Sequence, residues 1–267
     1  MFEYRHFVAK ISYKIIHKTS ENHSNKIMKT TMKYLIVLMS FLLSFATQAT
    51  ELEDAKAAAQ KGDFATAKTI YEKLSAENNA KAQYNLAVMH ASGDGAPANW
   101  DEALKYYKLA AENGYVDAQY KMALVSFKGE GMPIDYDASV RYYEMAAKLG
   151  HVRSQLNLGS IYANGEVVAK NDEKAYFWLH KAAQQNDADA QYLLGRMYFY
   201  GDGVKEDLVT AHMWFDLSVQ NSHDHPNRKA RRNMSLNEAA AKMTPEQIAE
   251  AKARSVTCVT NKFENCS

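Results

Sequence analysis

The sequence predicts an all-α fold in which pairs of helices stack one after another into a solenoid. The chain repeats itself, because glutamines stand 36 residues apart at Gln83, Gln119, Gln155 and Gln191. Within each period, apolar residues three or four positions apart share one helical face. Each period also has glycines followed by an Asn or Asp, the residue types that end one helix and begin the next. Each period therefore encodes two helices.

The composition is that of a folded protein. The 267 residues are 47% hydrophobic and 24% charged and include only 4 prolines, so the chain is able to bury a core. The formal net charge of +1 hides an uneven distribution, since the first 49 residues contain seven Lys or Arg and two acidic residues. The remainder holds 25 basic and 29 acidic side chains, so we expect no attraction to nucleic acid.

Residues 28–49 have the pattern of an export signal. A basic residue precedes a twelve-residue apolar run at 34–45, and a small-residue stretch ends at Ala49, after which cleavage is predicted. The run is short for a membrane span, which needs roughly 20 residues. Residues 1–27 are interpreted as a non-native extension before the true start. The mature protein would then be periplasmic or secreted, with no integral membrane segment; the alternative is an uncleaved membrane anchor with a basic tail.

Residues 50–79 are predicted to form a helical hairpin that caps the N-terminal end of the array. Asp63 occupies the register of the later N-cap residues, and Ala67 that of the later small residues. The first helix and the loop are shorter than in the copies that follow. We expect the hairpin to cover an apolar face that the first copy would otherwise expose.

Four copies of the period follow, at residues 80–115, 116–151, 152–187 and 188–221. Small residues at one register let the two helices of a copy approach closely; this column reads Ala87, Ala123, Gly159 and Gly195. An aromatic column fills the space between successive pairs, and it reads Tyr106, Tyr142, Trp178 and Trp214. Each copy leaves an apolar face that only its neighbour covers, which predicts a stacked array.

Every copy contains a stop signal and a start signal. The glycines after the first helix tolerate the left-handed backbone that ends a helix; they are Gly93, Gly129, Gly165 and Gly201. The predicted N-cap residues of the second helix are Asn99, Asp135, Asn171 and Asp207. A second glycine follows the first in three copies, whereas the third copy has Val167 instead. The Gly-Asp-Gly and Gly-Glu-Gly triplets are therefore interpreted as hinges of repeated hairpins.

Residues 222–267 are predicted to be capping helices and a tail. The stretch SHDHPN is interpreted as a loop and RKARRNMSLNEAAAK as a basic helix. Thr244, Pro245 and Gln247 form a capping-box arrangement, which predicts a closing helix from Thr244 to about Ala253.

These features resemble the Sel1-like repeat, a relative of the tetratricopeptide repeat with a longer loop after its first helix. The resemblance is carried by AQYNLAVMHASGDGAPANWDEALKYYKLAAENG and its later copy AQYLLGRMYFYGDGVKEDLVTAHMWFDLSVQN, and it covers residues 80–221. It implies a right-handed α-solenoid of helix-turn-helix repeats that acts as a noncatalytic scaffold or adaptor for other proteins. The alternative is a cell-wall enzyme or binder, because some secreted relatives are described as binding or hydrolysing β-lactams. The chain lacks the Ser-x-x-Lys arrangement of such enzymes, which argues against this alternative. We expect no cofactor.

Positions that vary between copies are candidates for binding a partner. On the first helices they recur at spacings of four, three and four and so share one helical face. The family resemblance implies that this face lines the concave side of the solenoid. The residues predicted to contact a protein or peptide are Lys121, Leu124, Lys128, Arg153, Asn157, Asn164, Leu193, Arg196 and Tyr200. The alternative is that this face is exposed to solvent and binds no partner. We expect the protein to be a monomer.

Two other groups of residues, a His-Asp-His cluster and a pair of cysteines, are candidates for a chemical role. His223, Asp224 and His225 form the best candidate metal cluster, but a closed zinc site needs four ligands and no second cluster supplies the rest. Cys258 and Cys266 are the only cysteines, and an exported chain favours a disulfide between them. The alternative is a pair of free thiols on a frayed tail.

Overall fold

The computed structural model describes residues 24–222, 226–263 and 266. All regular elements within these residues are helices, which confirms the all-α prediction. In chain order they are α1 (Ser24–Gln60), α2 (Phe64–Ala76), α3 (Ala80–Ser92), α4 (Trp100–Glu112), α5 (Val116–Lys128), α6 (Tyr136–Lys148), α7 (Val152–Asn164), α8 (Asp172–Gln184), α9 (Ala188–Tyr200), α10 (Leu208–Gln220), α11 (Pro226–Ala241) and α12 (Pro245–Thr260).

The chain divides into two compact units, residues 1–70 and 71–267. In the first unit, α1 runs without a break from the predicted signal segment into the predicted capping hairpin. Gly62, with φ of +79°, turns the chain after α1. Asp63 then begins α2, since its carboxylate accepts a hydrogen bond of 3.1 Å from the amide of Thr66. The capping role of this hairpin stays a prediction.

The second unit contains four helix pairs of the predicted period. Each helix from α3 to α10 has 13 residues. The two helices of a pair pack against each other, and each second helix packs against the first helix of the next pair. This succession of neighbours confirms the predicted α-solenoid.

The predicted start and stop signals are confirmed in all four copies. Side chains accept hydrogen bonds from first-turn amides at the start of α4, α6, α8 and α10, and they belong to Asn99, Asp135, Asn171 and Asp207. Left-handed glycines with φ between +71° and +80° end α3, α5, α7 and α9, and they are Gly93, Gly129, Gly165 and Gly201. Local side-chain and backbone chemistry thus fixes the length of each helix.

The second glycine of the loop lets it lie against the preceding copy. A Cβ atom on Gly131 would stand 2.8 Å from the Cβ of Trp100, closer than carbon atoms can approach. Copy 3 has Val167 at this position, and its side chain packs partly against the main core. The loop of copy 3 still closes, because the amide of Asn171 donates to the carbonyl of Tyr162 at 2.9 Å.

The small-residue column sets how closely the paired helices approach. A Cβ on Gly159 would lie 2.5 Å from Leu179 Cγ, and one on Gly195 would lie 2.5 Å from a ring carbon of Phe215. These two copies therefore need glycine where the first two copies have alanine. The aromatic column ends at Trp214, which is fully buried.

A ladder of buried glutamine amides links successive helices, a role that the sequence pattern did not indicate. The Nε2 groups donate to backbone carbonyls eight residues earlier, and the donors are Gln83, Gln119, Gln155 and Gln191. In three copies the glutamine Oε1 accepts a hydrogen bond from an amide 30 residues later, namely Asn113, Gln185 and Asn221. In copy 2 the corresponding residue is Leu149, and Oε1 of Gln119 has no hydrogen-bond partner among the described residues.

The last two helices both pack against α10. Thr244 and Gln247 form the predicted capping box at the start of α12. Helix α10 is apolar on most of its surface, and eight of its residues are buried, from Thr210 to Phe215 and at Leu217 and Ser218. A helix that is apolar all round needs cover on every side, and α11 and α12 supply it here.

The predicted end of the closing helix at Ala253 is wrong, because α12 continues to Thr260. Its buried face recurs at Ala251, Ser255 and Cys258, so packing against α10 holds two further turns helical. Beyond the helix the chain turns back, and the structure pairs Cys258 with Cys266 in a disulfide. Both cysteines belong to the main hydrophobic core cluster.

Candidate partner-binding surface

The nine residues predicted to contact a partner, here called the first-helix stripe, lie on α5, α7 and α9. Five of their side chains are exposed, namely Lys128, Arg153, Asn164, Arg196 and Tyr200. Four are partly buried, namely Lys121, Leu124, Asn157 and Leu193. The stripe therefore has accessible and inward members, a distinction that the repeat comparison did not make.

Two lysines of the stripe are engaged by one carboxylate. Lys121 Nζ lies 3.1 Å and Lys128 Nζ 3.5 Å from oxygens of Glu130. Burial opposes ionisation of Glu130, but the two ammonium groups outweigh it and lower the pKa of this carboxyl. Lys121 also lies 5.8 Å from the ring centroid of Trp100. These lysines have an internal partner and are weaker candidates for binding an acidic ligand.

Three inward members take part in packing. Leu124 and Leu193 pack against the main hydrophobic core. Asn157 lies beside the hydroxyl of Tyr143, and burial raises the pKa of that hydroxyl to about 12. Their variation between copies reflects different packing solutions at each level of the array.

The two arginines of the stripe are exposed and form no salt bridge within the described part of the chain. Arg153 lies in the first turn of α7 and Arg196 in the third turn of α9. The guanidinium of Arg196 lies 5.7 Å from the ring centroid of Tyr200, whose side chain is 57% exposed. These side chains are placed to contact a partner without breaking an internal ion pair.

Helix α11 is tied to α9 beside these residues. Asp189 binds Arg232 at 2.6 Å and Arg228 at 3.1 Å. Arg232 is only 2% exposed, so Asp189 neutralises a charge that is otherwise buried. The hydroxyls of Tyr192 and Ser235 lie 3.4 Å apart across the same junction.

A cavity of about 140 Å³ lies in this junction between α9 and α11. It is lined by Tyr192, Arg196, Phe199, Tyr200, Phe215, Ser235 and Glu238. Phe199 and Phe215 are buried, whereas Arg196, Tyr200 and Glu238 are exposed. The cavity therefore has an aromatic floor and a charged rim.

Sequence reasoning found two of these lining residues and missed the rest. Arg196 and Tyr200 vary between copies and were predicted to bind a partner. Ser235 and Glu238 lie on α11, outside the four copies, so no repeat register could align them with the stripe. The only sequence signal for Ser235 and Glu238 was their spacing of three residues on a basic helix. This spacing is common on exposed helix faces.

The histidines within the repeat helices take part in packing. His90 stacks on Tyr106 at 5.7 Å, and His180 meets the edge of Trp214 at 6.2 Å. His212 is 2% exposed, and its Nδ1 has no hydrogen-bond partner among the described residues. Burial lowers the pKa of both His180 and His212.

The candidate metal ligands His223, Asp224 and His225 lie outside the described residues. In the part of the chain that the structure describes, no three His, Cys, Asp or Glu side chains are grouped to hold a metal ion. None of the described helices combines the length and apolarity that crossing a membrane requires.

The four copies match a known family of repeats. The family model "Sel1 repeat" matches residues 80–115, 116–151, 152–187 and 188–223. A Sel1 repeat protein from Oxalobacter formigenes is 24% identical, with a TM-score of 0.56 over 72% of this chain and 84% of that structure. This similarity shows that the two proteins share a fold, and nothing about function. No curated protein matches the chain.

Two other solved structures are more distant. A protective antigen of uropathogenic Escherichia coli with an SLR fold is 24% identical, with a TM-score of 0.47. The match covers 81% of this chain but only 55% of that structure. An immunity protein from Pseudomonas aeruginosa is 20% identical, with a TM-score of 0.41 over 78% of this chain and 83% of that structure.

Proposed function

The chain belongs to the Sel1 repeat family, and we propose that it is a noncatalytic scaffold that binds a protein or peptide partner on the first-helix stripe. The Sel1 repeat solenoid is consistent with a protein-binding scaffold. The observation that carries the proposal is the exposed set Arg153, Arg196 and Tyr200, which project from first helices and have no carboxylate partner within the described residues. Stacked helix pairs fix the backbone from which these side chains project, so binding does not have to order the backbone.

A partner for this surface is expected to carry acidic groups. Exposed guanidinium groups form bidentate hydrogen bonds with carboxylates, and the contacts are charge-assisted. Lys128 adds positive charge, although Glu130 partly neutralises it. Complementary charge at an interface raises the association rate and selects among partners.

We place this function in the bacterial envelope. The predicted export signal at residues 28–49 supports this location, as does the pairing of the two cysteines, because disulfides persist in oxidising compartments. Fusion of a reporter enzyme that is active only after export to residues 1–60 would test it. Cytoplasmic retention of that fusion would contradict the location and leave the binding proposal intact.

Charge reversal tests the binding surface. We expect the variant with Lys128, Arg153 and Arg196 changed to Glu to lose most of a partner that the unmodified protein captures from envelope extract after chemical crosslinking. A matched control reverses three exposed cations of second helices, Arg141, Lys148 and Lys181. Equal capture by both variants, with unchanged circular dichroism, would contradict a site on the first helices.

A further inference from the structure

We propose that the cavity between α9 and α11 receives an aromatic side chain of the partner, and that Arg196 binds a carboxylate next to that side chain in the partner's chain. This inference rests on the proposed function and adds the chemistry of the ligand. It places the dominant contact at the C-terminal end of the first-helix stripe. There α11 lies beside α9, which is the first helix of the fourth copy.

The size of the cavity suits one ring. Its volume of about 140 Å³ is close to the roughly 150 Å³ that accommodates a benzene molecule in a protein core. Sites for drug-sized molecules are larger, at roughly 300 Å³ or more. The cavity therefore fits a single side chain of a longer ligand that continues along the stripe.

The walls favour an aromatic side chain in particular. Phe199 and Phe215 form the floor and are 6% and 1% exposed. Tyr200 meets Phe199 edge to face, with ring centroids 4.9 Å apart and an interplanar angle of 85°. Lys242 Nζ already lies over the Phe199 ring, 4.3 Å from its centroid. A further ring entering this cluster can pack edge to face or offset against Tyr200 and Phe215, which are the arrangements that aromatic pairs prefer.

The two walls of the rim carry opposite charges. Arg196 stands on the α9 wall without a salt bridge to any described residue, and its position over Tyr200 orients the guanidinium. Glu238 stands on the α11 wall and likewise has no salt bridge within the described residues. It repels a second carboxylate, so we expect one acidic residue beside the aromatic anchor, on the side of α9.

The cavity is preformed. The buried Arg232 holds α11 to Asp189 of α9, and the hydroxyls of Tyr192 and Ser235 lie 3.4 Å apart between the same two helices. Helix α11 also packs on α10, which supplies Phe215 to the floor. A ligand therefore does not have to order this part of the chain, and the binding free energy is not spent on ordering it.

Peptide selection tests the proposal. The full-length protein is panned with a phage library of short random peptides, and the affinity of synthetic enriched peptides is measured by fluorescence polarisation. We expect an aromatic residue next to Asp or Glu in the enriched peptides. Arg196→Glu should weaken their binding roughly tenfold or more, which is the scale of one charge-assisted pair.

Two variants test this site specifically. Arg141→Glu makes the same charge change on the second helix α6, outside the first-helix stripe and the cavity, and should leave peptide affinity unchanged within error. Ser235→Phe fills the cavity from α11 and should weaken peptide binding while the charge of Arg196 is retained. A circular dichroism melt of each variant shows whether it is folded.

The outcomes distinguish this inference from the function on which it rests. Peptides that lack the aromatic-acidic pair, or that bind Arg196→Glu and Ser235→Phe as well as the unmodified protein, would overturn the cavity proposal. If Arg153→Glu then weakens the binding of the enriched peptides, the scaffold function is retained, with its main contact elsewhere on the first-helix stripe. Failure to enrich any peptide also overturns the cavity proposal, and the crosslinking comparison above then decides the scaffold function by itself.

Discussion

Replacing Leu149 with asparagine should stabilise the protein, because it fills the one incomplete step of the amide ladder among the described residues. Gln119 is 3% exposed, and its Oε1 accepts no hydrogen bond from a described residue. In the neighbouring copy, Asn113 donates to Gln83 from the corresponding position at 2.9 Å. Leu149 has φ of −86° and ψ of 8°, close to −79° and 11° at Asn113, so the backbone already suits the new residue.

The expected gain is about 1 kcal/mol. A buried neutral hydrogen bond contributes a net ~0.5–1.5 kcal/mol, and here it also satisfies an acceptor that was buried without a partner. The loss of the leucine costs little, since its side chain is 59% exposed. For a chain of this size, the gain corresponds to a rise of roughly 2–4 °C in melting temperature.

Urea unfolding followed by circular dichroism measures the change, and a double-mutant cycle supplies the control. In a Gln119→Leu background the acceptor is absent, so Leu149→Asn should give no gain there. The reverse change, Asn113→Leu, should destabilise the protein by a similar amount or more. A neutral Leu149→Asn variant, or a gain that persists without the Gln119 acceptor, would refute the ladder as a source of stability.

Three further changes test other contacts. Gly195→Ala should cost about 1–3 kcal/mol, because its Cβ would lie 2.5 Å from the ring of Phe215, and an unchanged melting temperature would contradict this packing. Burial lowers the pKa of His212 below 6.5, so the unfolded chain takes up the proton first and stability should fall as pH drops below that value. His212→Phe should reduce that fall in urea midpoint, and the same pH dependence in the variant would exclude the histidine as its source. Reducing the disulfide between Cys258 and Cys266, eight residues apart, should cost up to ~2.5 kcal/mol, and a mass that does not change on reduction would contradict the bond.

Most of the repeat architecture could be predicted because it depends on local chemistry. A left-handed glycine and an Asn or Asp N-cap fix the ends of helices within a few residues, so Gly93 and Asn99 could be identified without knowing any distant contact. The end of α12 could not, because Ser255 and Cys258 keep that helix ordered by packing against α10.

The candidate surface was only partly predictable, since variation between copies does not distinguish exposure from alternative packing. Leu124 and Leu193 vary and yet pack against the core, whereas Arg196 varies and is exposed. The cavity was beyond sequence reasoning, because it depends on how α11 docks beside α9. The ion pair between Asp189 and Arg232 that fixes this docking spans 43 residues and lies outside the repeat period.

Site-specific photocrosslinking tests most directly whether a partner binds the first helices. A benzophenone amino acid replaces either Tyr200 on α9 or Phe177 on α8, two exposed aromatic residues with side chains 57% and 51% accessible. We predict a crosslinked partner from position 200, lost when Arg196 is changed to Glu, and no adduct from position 177. Crosslinking from position 177 alone, or equally from both positions, would contradict binding on the first-helix stripe.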